Sequence, residues 1–189
     1  VGLNEGVRAV FDGPRVLFPD GFSKGEQNIR AVYYDGQASF THSIGVIAGR
    51  EEDAALLQFT AAYLRSTLAR YFLMMRGWKM LCERNGVHLA DVETFPFFVP
   101  EDAPDPAAAR DALLAVQARM AELMALPELE QASRYDELRD EFDAAVFSYF
   151  GLSGEEQTLI RESVRVLMPS VRPRSFKSLD TPAQHRASA

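Results

Sequence analysis

The chain is poor in the residues that build small extracellular proteins and metal centres. Among its 189 residues are one cysteine, Cys82, and three histidines, His42, His88 and His185. A lone cysteine excludes an internal disulfide and fits a reducing cytoplasm, the compartment expected here. The histidines are scattered and lack metal-ligand spacing near Cys82. No run of about 20 uncharged apolar residues occurs, so no helix is expected to span a membrane. The most apolar stretch, 54–75, is interrupted by Gln58, Arg65 and Arg70. Neither G-x-G-x-x-G nor G-x-x-x-x-G-K followed by Ser or Thr is present, so the usual nucleotide-phosphate cradles are missing. A Cys82–His88 nucleophile pair is outweighed by a buried thiol beside a turn histidine. The acids of 128–143 lie at helical spacing beside Arg134 and Arg139, which reads as a solvated helix face rather than a carboxylate pair for acid–base chemistry. No signal peptide is read at the first residues, and no internal repeat is found. The start at Val1, in running sequence, leads to the expectation of a piece of a longer protein.

What is there is ordinary globular composition, 47% hydrophobic and 25% charged, with an uneven charge. The formal net charge is −7, yet residues 101–150 hold twelve acids against four bases. Residues 63–84 carry five bases, Arg65, Arg70, Arg76, Lys79 and Arg84, against one acid, Glu83. A binding surface depends on local charge, so the whole-chain value does not exclude nucleic acid.

The first third is strand-like. Segments 15–19, 30–34 and 38–48 are rich in aromatic and β-branched residues and are separated by Pro19-Asp20-Gly21 and by Asp35-Gly36. Asp35-Gly36 is a hairpin signal joining the second and third runs, and Phe40, His42 and Ile44 alternate with Thr41 and Ser43 as in a half-buried strand. Glu51, Glu52 and Asp53 then favour a helix start, and apolar residues at near-helical spacing predict one long, mostly buried helix over 54–75, ending at Gly77. Leu89 to Glu93 reads as a short helical turn, and Phe95 to Val99 as an extended exit pinned by Pro96 and Pro100. Residues 101–106, with Pro104 and Pro106, mark a boundary. Helices are expected beyond it over 106–125, 135–150 and 154–168, the last with Ser153 as its N-cap. The fold class is therefore α+β: a small, mostly antiparallel sheet with a long packed helix, then a C-terminal helical segment. The organisation expected is a front domain over 1–100, helices over 101–168 and a tail over 169–189 with too little apolar content to pack.

Three stretches in order resemble one family. "FDGPRVLFPDGFSKGEQNIRAVYYDGQASFTHSIGVIAG" resembles the opening of the target-recognition region of adenine-N6 DNA methyltransferases, which occur in restriction-modification and related phage-defence systems. "LLQFTAAYLRSTLARYFLMMRGWKMLCERNGVHLADVETFPFFVPED" looks like the block that follows it: a long helix, a Trp and Glu-Arg segment, and a Phe-Pro-Phe exit. "FDAAVFSYFGLSGEEQTLI" is similar to the closing acid-hydrophobic helix, although Phe147 and Phe150 stand where tyrosines are common. An Arg usual near position 20 is also missing. The likeness covers roughly 11–168. The family's cofactor-binding glycine motif and Asn-Pro-Pro-aromatic motif have no counterpart in the chain. The resemblance implies a piece that does no chemistry alone and has no cofactor site. It would select the duplex sequence whose adenine rotates into a catalytic domain of the same polypeptide, which binds S-adenosylmethionine.

On that reading the partner is double-stranded DNA. Lys24 and Arg30 would pair with phosphates, and Ser23, Gln27 and Asn28 would reach base edges, Gln and Asn matching the N6/N7 pair of adenine. The competing reading is a solvated loop, since Asp20 and Glu26 cancel its charge. Arg76, Lys79 and Arg84 would meet phosphates, with Gly77 allowing close backbone approach. The competing reading pairs Arg84 with Glu83 or Glu93. Arg65 and Arg70 are expected to be structural, Trp78 core, and Phe95, Phe97 and Phe98 packing residues. DNA is expected against the β-rich end, away from the acidic helices. The rival function is a protein–protein module docking a partner subunit through helices 106–168, which uncovered Val146, Phe147 and Phe150 would favour.

Overall fold

The structure is a computed structural model and describes residues 11–20, 29–77 and 87–167. It is α+β, with a three-stranded antiparallel sheet followed by helices. Strands β1 (Arg15–Pro19), β2 (Val32–Tyr34) and β3 (Ile44–Ala48) stand in the order β2-β1-β3. The register pairs Val16 with Tyr33 on one side and with Ile47 on the other. Val16 and Phe18 alternate inward with period 2 and are fully buried.

The Asp35-Gly36 hairpin does not form. β2 and β3 lie on opposite sides of β1, so the chain crosses from one sheet edge to the other between them. A tight primed turn of the Asp-Gly kind needs positive φ at both central residues. Only Gly36 has it, at φ 132°, while Asp35 does not. The Gly36 carbonyl instead accepts from the guanidinium of buried Arg15, and Ala38 N–H donates to Phe11 O at 3.1 Å, taking the chain away from β2. The third strand is accordingly shorter than expected, because residues 41–43 form a turn before Ile44.

The long helix is likewise two helices, α1 (Ala54–Arg65) and α2 (Thr67–Arg76), broken at Ser66. The apolar pattern runs on through the break. Ser66, however, has extended backbone (φ −71°, ψ 165°), and its hydroxyl accepts from Ala69 N–H at 3.2 Å as an N-cap. α1 is buried on almost every side, with β1 and β2 against one face and the later helices against another. A short helix α3 (Leu89–Val92) and the exit segment follow.

Beyond residue 101 lie α4 (Pro106–Met124), α5 (Glu128–Glu137), α6 (Arg139–Tyr149) and α7 (Gly154–Leu167). Asp105 caps α4 by accepting from Ala107 and Ala108 N–H at 3.0 Å, with Pro106 in the first turn. The helix expected over 135–150 begins earlier and is interrupted at Leu138, a buried residue whose backbone (φ −85°, ψ 2°) leaves the helical region for one step. Helices α4 and α6 pack on α1, and α6 and α7 on α2, so one buried cluster runs from Val16 to Val164. Its densest part is aromatic: Phe59 and Tyr149 lie 4.1 Å apart between ring centres, and Phe98 stacks on Tyr149 at 5.4 Å. Burying each such ring contributes roughly 1.5–3 kcal/mol. Among the described residues, no helix is long and apolar enough to cross a membrane.

Candidate nucleic-acid interface

Of the residues expected to contact DNA, Ser23, Lys24, Gln27, Asn28, Lys79 and Arg84 lie outside the described residues, as does Trp78. Arg30 and Arg76 are described, and both are exposed. What the structure positions is the ground on either side of 21–28 and 78–86.

The stretch 21–28 leaves from Asp20 and returns at Ile29; the stretch 78–86 leaves from Gly77 and returns at Val87. Ile29 and Val87 are fully buried anchors. Asp20 N–H donates to Ser43 O at 2.8 Å, fixing the end of β1 beside the start of β3. The Asp20 carboxylate lies 3.6 Å from His88 Nδ1. His88 in turn starts α3, its own N–H donating to Asp91 Oδ2 at 3.3 Å. At the end of this segment Thr94 O accepts from Arg76 Nη1 at 3.4 Å. Asp20, His88, Asp91, Thr94 and Arg76 thus form one chain of contacts joining the residues that flank 21–28 and 78–86.

Arg76 sits in the last turn of α2, where a cation suits the exposed carbonyls. Its guanidinium donates to the carbonyl of Thr94, and no carboxylate among the described residues pairs with it. Gly77 ends that helix with φ −67° and ψ 116°, a conformation open to any residue, so its role is not that of a strained turn. Arg30 stands one position before buried Ala31, at the approach to edge strand β2.

Arg65 and Arg70 are engaged inside the protein. The Arg65 guanidinium lies 3.4 Å from the centre of the Tyr135 ring. Arg70 donates to Thr67 Oγ1 at 2.8 Å, and its burial lowers its proton affinity against the opposing pull of Asp143. Both therefore have the structural roles their helix suggested. Along the C-terminal helices Arg119 meets Glu122 and Glu141, Arg134 meets Glu122 and Glu137, Arg139 meets Asp136, Arg161 meets Asp140, and Arg165 meets Glu162. The hydrogen bond from Arg134 holds the Glu122 carboxyl below the usual range. These helices thus neutralise most of their own bases and leave an acidic remainder, a poor surface for a phosphate backbone.

Among the described residues, no three His, Cys, Asp or Glu side chains are grouped to hold a metal ion. The exit segment is fixed by tyrosines: Tyr63 hydroxyl donates to Pro96 O at 3.1 Å and Tyr149 hydroxyl to Phe98 O at 2.5 Å. Phe95 and Phe98 pack as expected, whereas Phe97 is 43% exposed. The meeting of Asp20 with His88 is not legible in the sequence, because nothing in the local spacing brings those positions together. No protein-family model and no curated protein matches the chain.

Proposed function

We propose that the chain is the sequence-specific double-stranded DNA recognition part of an adenine-N6 DNA methyltransferase of a restriction-modification or phage-defence system. It would act in the cytoplasm and do no chemistry itself. The catalytic domain and its S-adenosylmethionine belong to another part of the polypeptide. The observation that supports this most is that the residues flanking 21–28 and 78–86 are tied through Asp20 and His88, with Arg76 held beside them. A duplex lying against those residues would meet Lys24, Arg30, Arg76, Lys79 and Arg84 on one side and avoid the acidic helices. Ser23, Gln27 and Asn28 would then read base edges.

Fluorescence anisotropy on mixed-sequence duplex DNA tests this, in salt from roughly 50 to 200 mM. Binding should weaken steeply with salt. In the Lys79→Glu/Arg84→Glu variant the slope should be shallower by about one unit for every phosphate that the altered side chains no longer neutralise. A folded protein that binds no DNA at the lowest salt overturns the reading.

The second reading, docking of a partner subunit through helices 106–168, draws on Leu114, Leu129 and Leu159, which are exposed on those helices. Val146 and Phe147, whose exposure would have favoured it, are fully buried in the chain's own core, and Phe150 packs against Phe98 and Tyr149.

A further inference from the structure

The break at Ser66 is held from a distance. Asp143 lies on α6 and is 2% exposed. Its Oδ1 accepts from Thr67 N–H at 2.7 Å and its Oδ2 from Thr67 Oγ1 at 2.5 Å. A carboxylate 76 residues away in sequence thus occupies the first turn of α2, satisfying a backbone donor that a continuous helix would have used internally. Thr67 Oγ1 also accepts from Arg70, and Arg161 brings a second guanidinium to 3.9 Å from Asp143 Oδ2. Asp143 and Thr67 are buried and bonded to each other, Arg70 is bonded to Thr67 although its Nε has no hydrogen-bond partner among the described residues, and Arg161 stands at the more exposed margin. A buried polar contact of this kind favours one geometry over its neighbours.

The consequence lies at the other end of α2. This helix has ten residues and is about 15 Å long. A change of about 20° in its direction, the scale of a helix kink, would carry its far end by about 5 Å. That end holds Arg76, whose bond to Thr94 O connects it with α3, His88 and Asp20. We infer that Asp143 is a positioning residue: from the C-terminal helices it sets the direction of α2, and through it the placement of Arg76. This rests on the DNA-recognition reading for its functional meaning, but the geometric coupling does not depend on DNA.

The experiment therefore has two arms, both on the whole chain. In the first, Met75→Cys and Leu129→Cys, at positions 59% and 96% exposed on α2 and α5, carry spin labels in a Cys82→Ser background. The parent should give a narrow distance distribution. Asp143→Asn keeps one acceptor oxygen but replaces the other with an amide nitrogen that cannot accept, and should broaden or shift the distribution by several ångströms. Thr67→Ala should do the same and Thr67→Ser should restore it, so the test survives if Asp143→Asn fails to fold. An unchanged distribution in folded Asp143→Asn or Thr67→Ala overturns the inference. In the second arm, anisotropy well below the melting temperature should show DNA affinity falling roughly 2- to 30-fold in Asp143→Asn and Thr67→Ala, with recovery in Thr67→Ser. A shifted distance with unchanged affinity overturns the positioning role. A parent that binds no DNA overturns the recognition reading, and the distances alone then support or refute the coupling.

Discussion

The Tyr149 hydroxyl donates to the carbonyl of Phe98 at 2.5 Å, tying the last turn of α6 to the exit segment 51 residues earlier. The ring of Tyr149 is fully buried and stacks on Phe98 at an interplanar angle of 5°, so the hydrogen bond and the ring contact fix the same piece of backbone. Removing the hydroxyl leaves a carbonyl in an aromatic pocket with no donor. Tyr149→Phe should therefore destabilise the chain by about 1–3 kcal/mol, read as a lower urea midpoint at unchanged slope. An unchanged midpoint would mean that water replaces the bond without loss.

Gly45 faces Phe18 across the β1–β3 pair, and a Cβ added there would overlap the Phe18 ring. The ring is 1% exposed and held in the core, so it has little room to give. Gly45→Ala should cost about 1–3 kcal/mol through overpacking. For a chain of this size each kcal/mol lowers the melting temperature by roughly 2–4 °C. Adding Phe18→Leu should recover part of the loss; a double variant no better than the sum of its parts would show that the clash is not the cause.

The elements that can be read from the sequence are those governed by neighbours in sequence. Val16 and Phe18 alternate into a strand, and Asp105-Pro106 caps a helix with its own side chain. The Ser66 break is hidden because the apolar spacing of α1 continues through α2, while Asp143, which accepts from Thr67 at the break, lies on another helix. Helix α5 is not legible over 128–134 because only Tyr135 on it is buried and its support is the pairing of Arg134 with Glu122 on α4. Asp35-Gly36 misleads because its glycine supplies one positive φ where the turn needs two. The candidate interface follows the same division. Charge clustering between 63 and 84 is visible residue by residue, but the contact of Asp20 with His88, on the flanks of 21–28 and 78–86, forms only in the folded sheet.

The cap at Ser66 gives a local counterpart to the long-range one. Its hydroxyl accepts from Ala69 N–H and donates to Tyr63 O at 2.7 Å, so it serves both helix ends at the junction. Ser66→Ala should cost about 1 kcal/mol. Combined with Thr67→Ala, the loss should exceed the sum of the two single variants, because each cap limits the fraying that the other would suffer alone. Simple additivity, measured by chemical denaturation, would show the two caps to be independent.

Alkaline pH should unfold the chain through its buried tyrosines. Burial pushes the Tyr149 hydroxyl up to about 12 from an ordinary value of 10.0, with Glu101 adding to the shift. Burial raises Tyr63 and Tyr135 as well. The folded state therefore keeps these protons while the unfolded chain releases them. The contribution of Tyr149 is fully present below pH 10 and is lost as pH rises from 10 towards 12, and the losses from Tyr63 and Tyr135 begin at the same point and continue beyond 12. Within that window each such tyrosine lowers stability by up to about 1.4 kcal/mol per pH unit. Denaturation followed at stepped pH should show stability level just below the window and falling within it, with tyrosinate absorbance rising together with the loss of helix. In Tyr149→Phe the starting stability is lower, but the fall within the window should be shallower by one tyrosine's share. An identical slope in parent and variant would mean that Tyr149 ionises without unfolding the chain, and that its pocket opens to water at high pH.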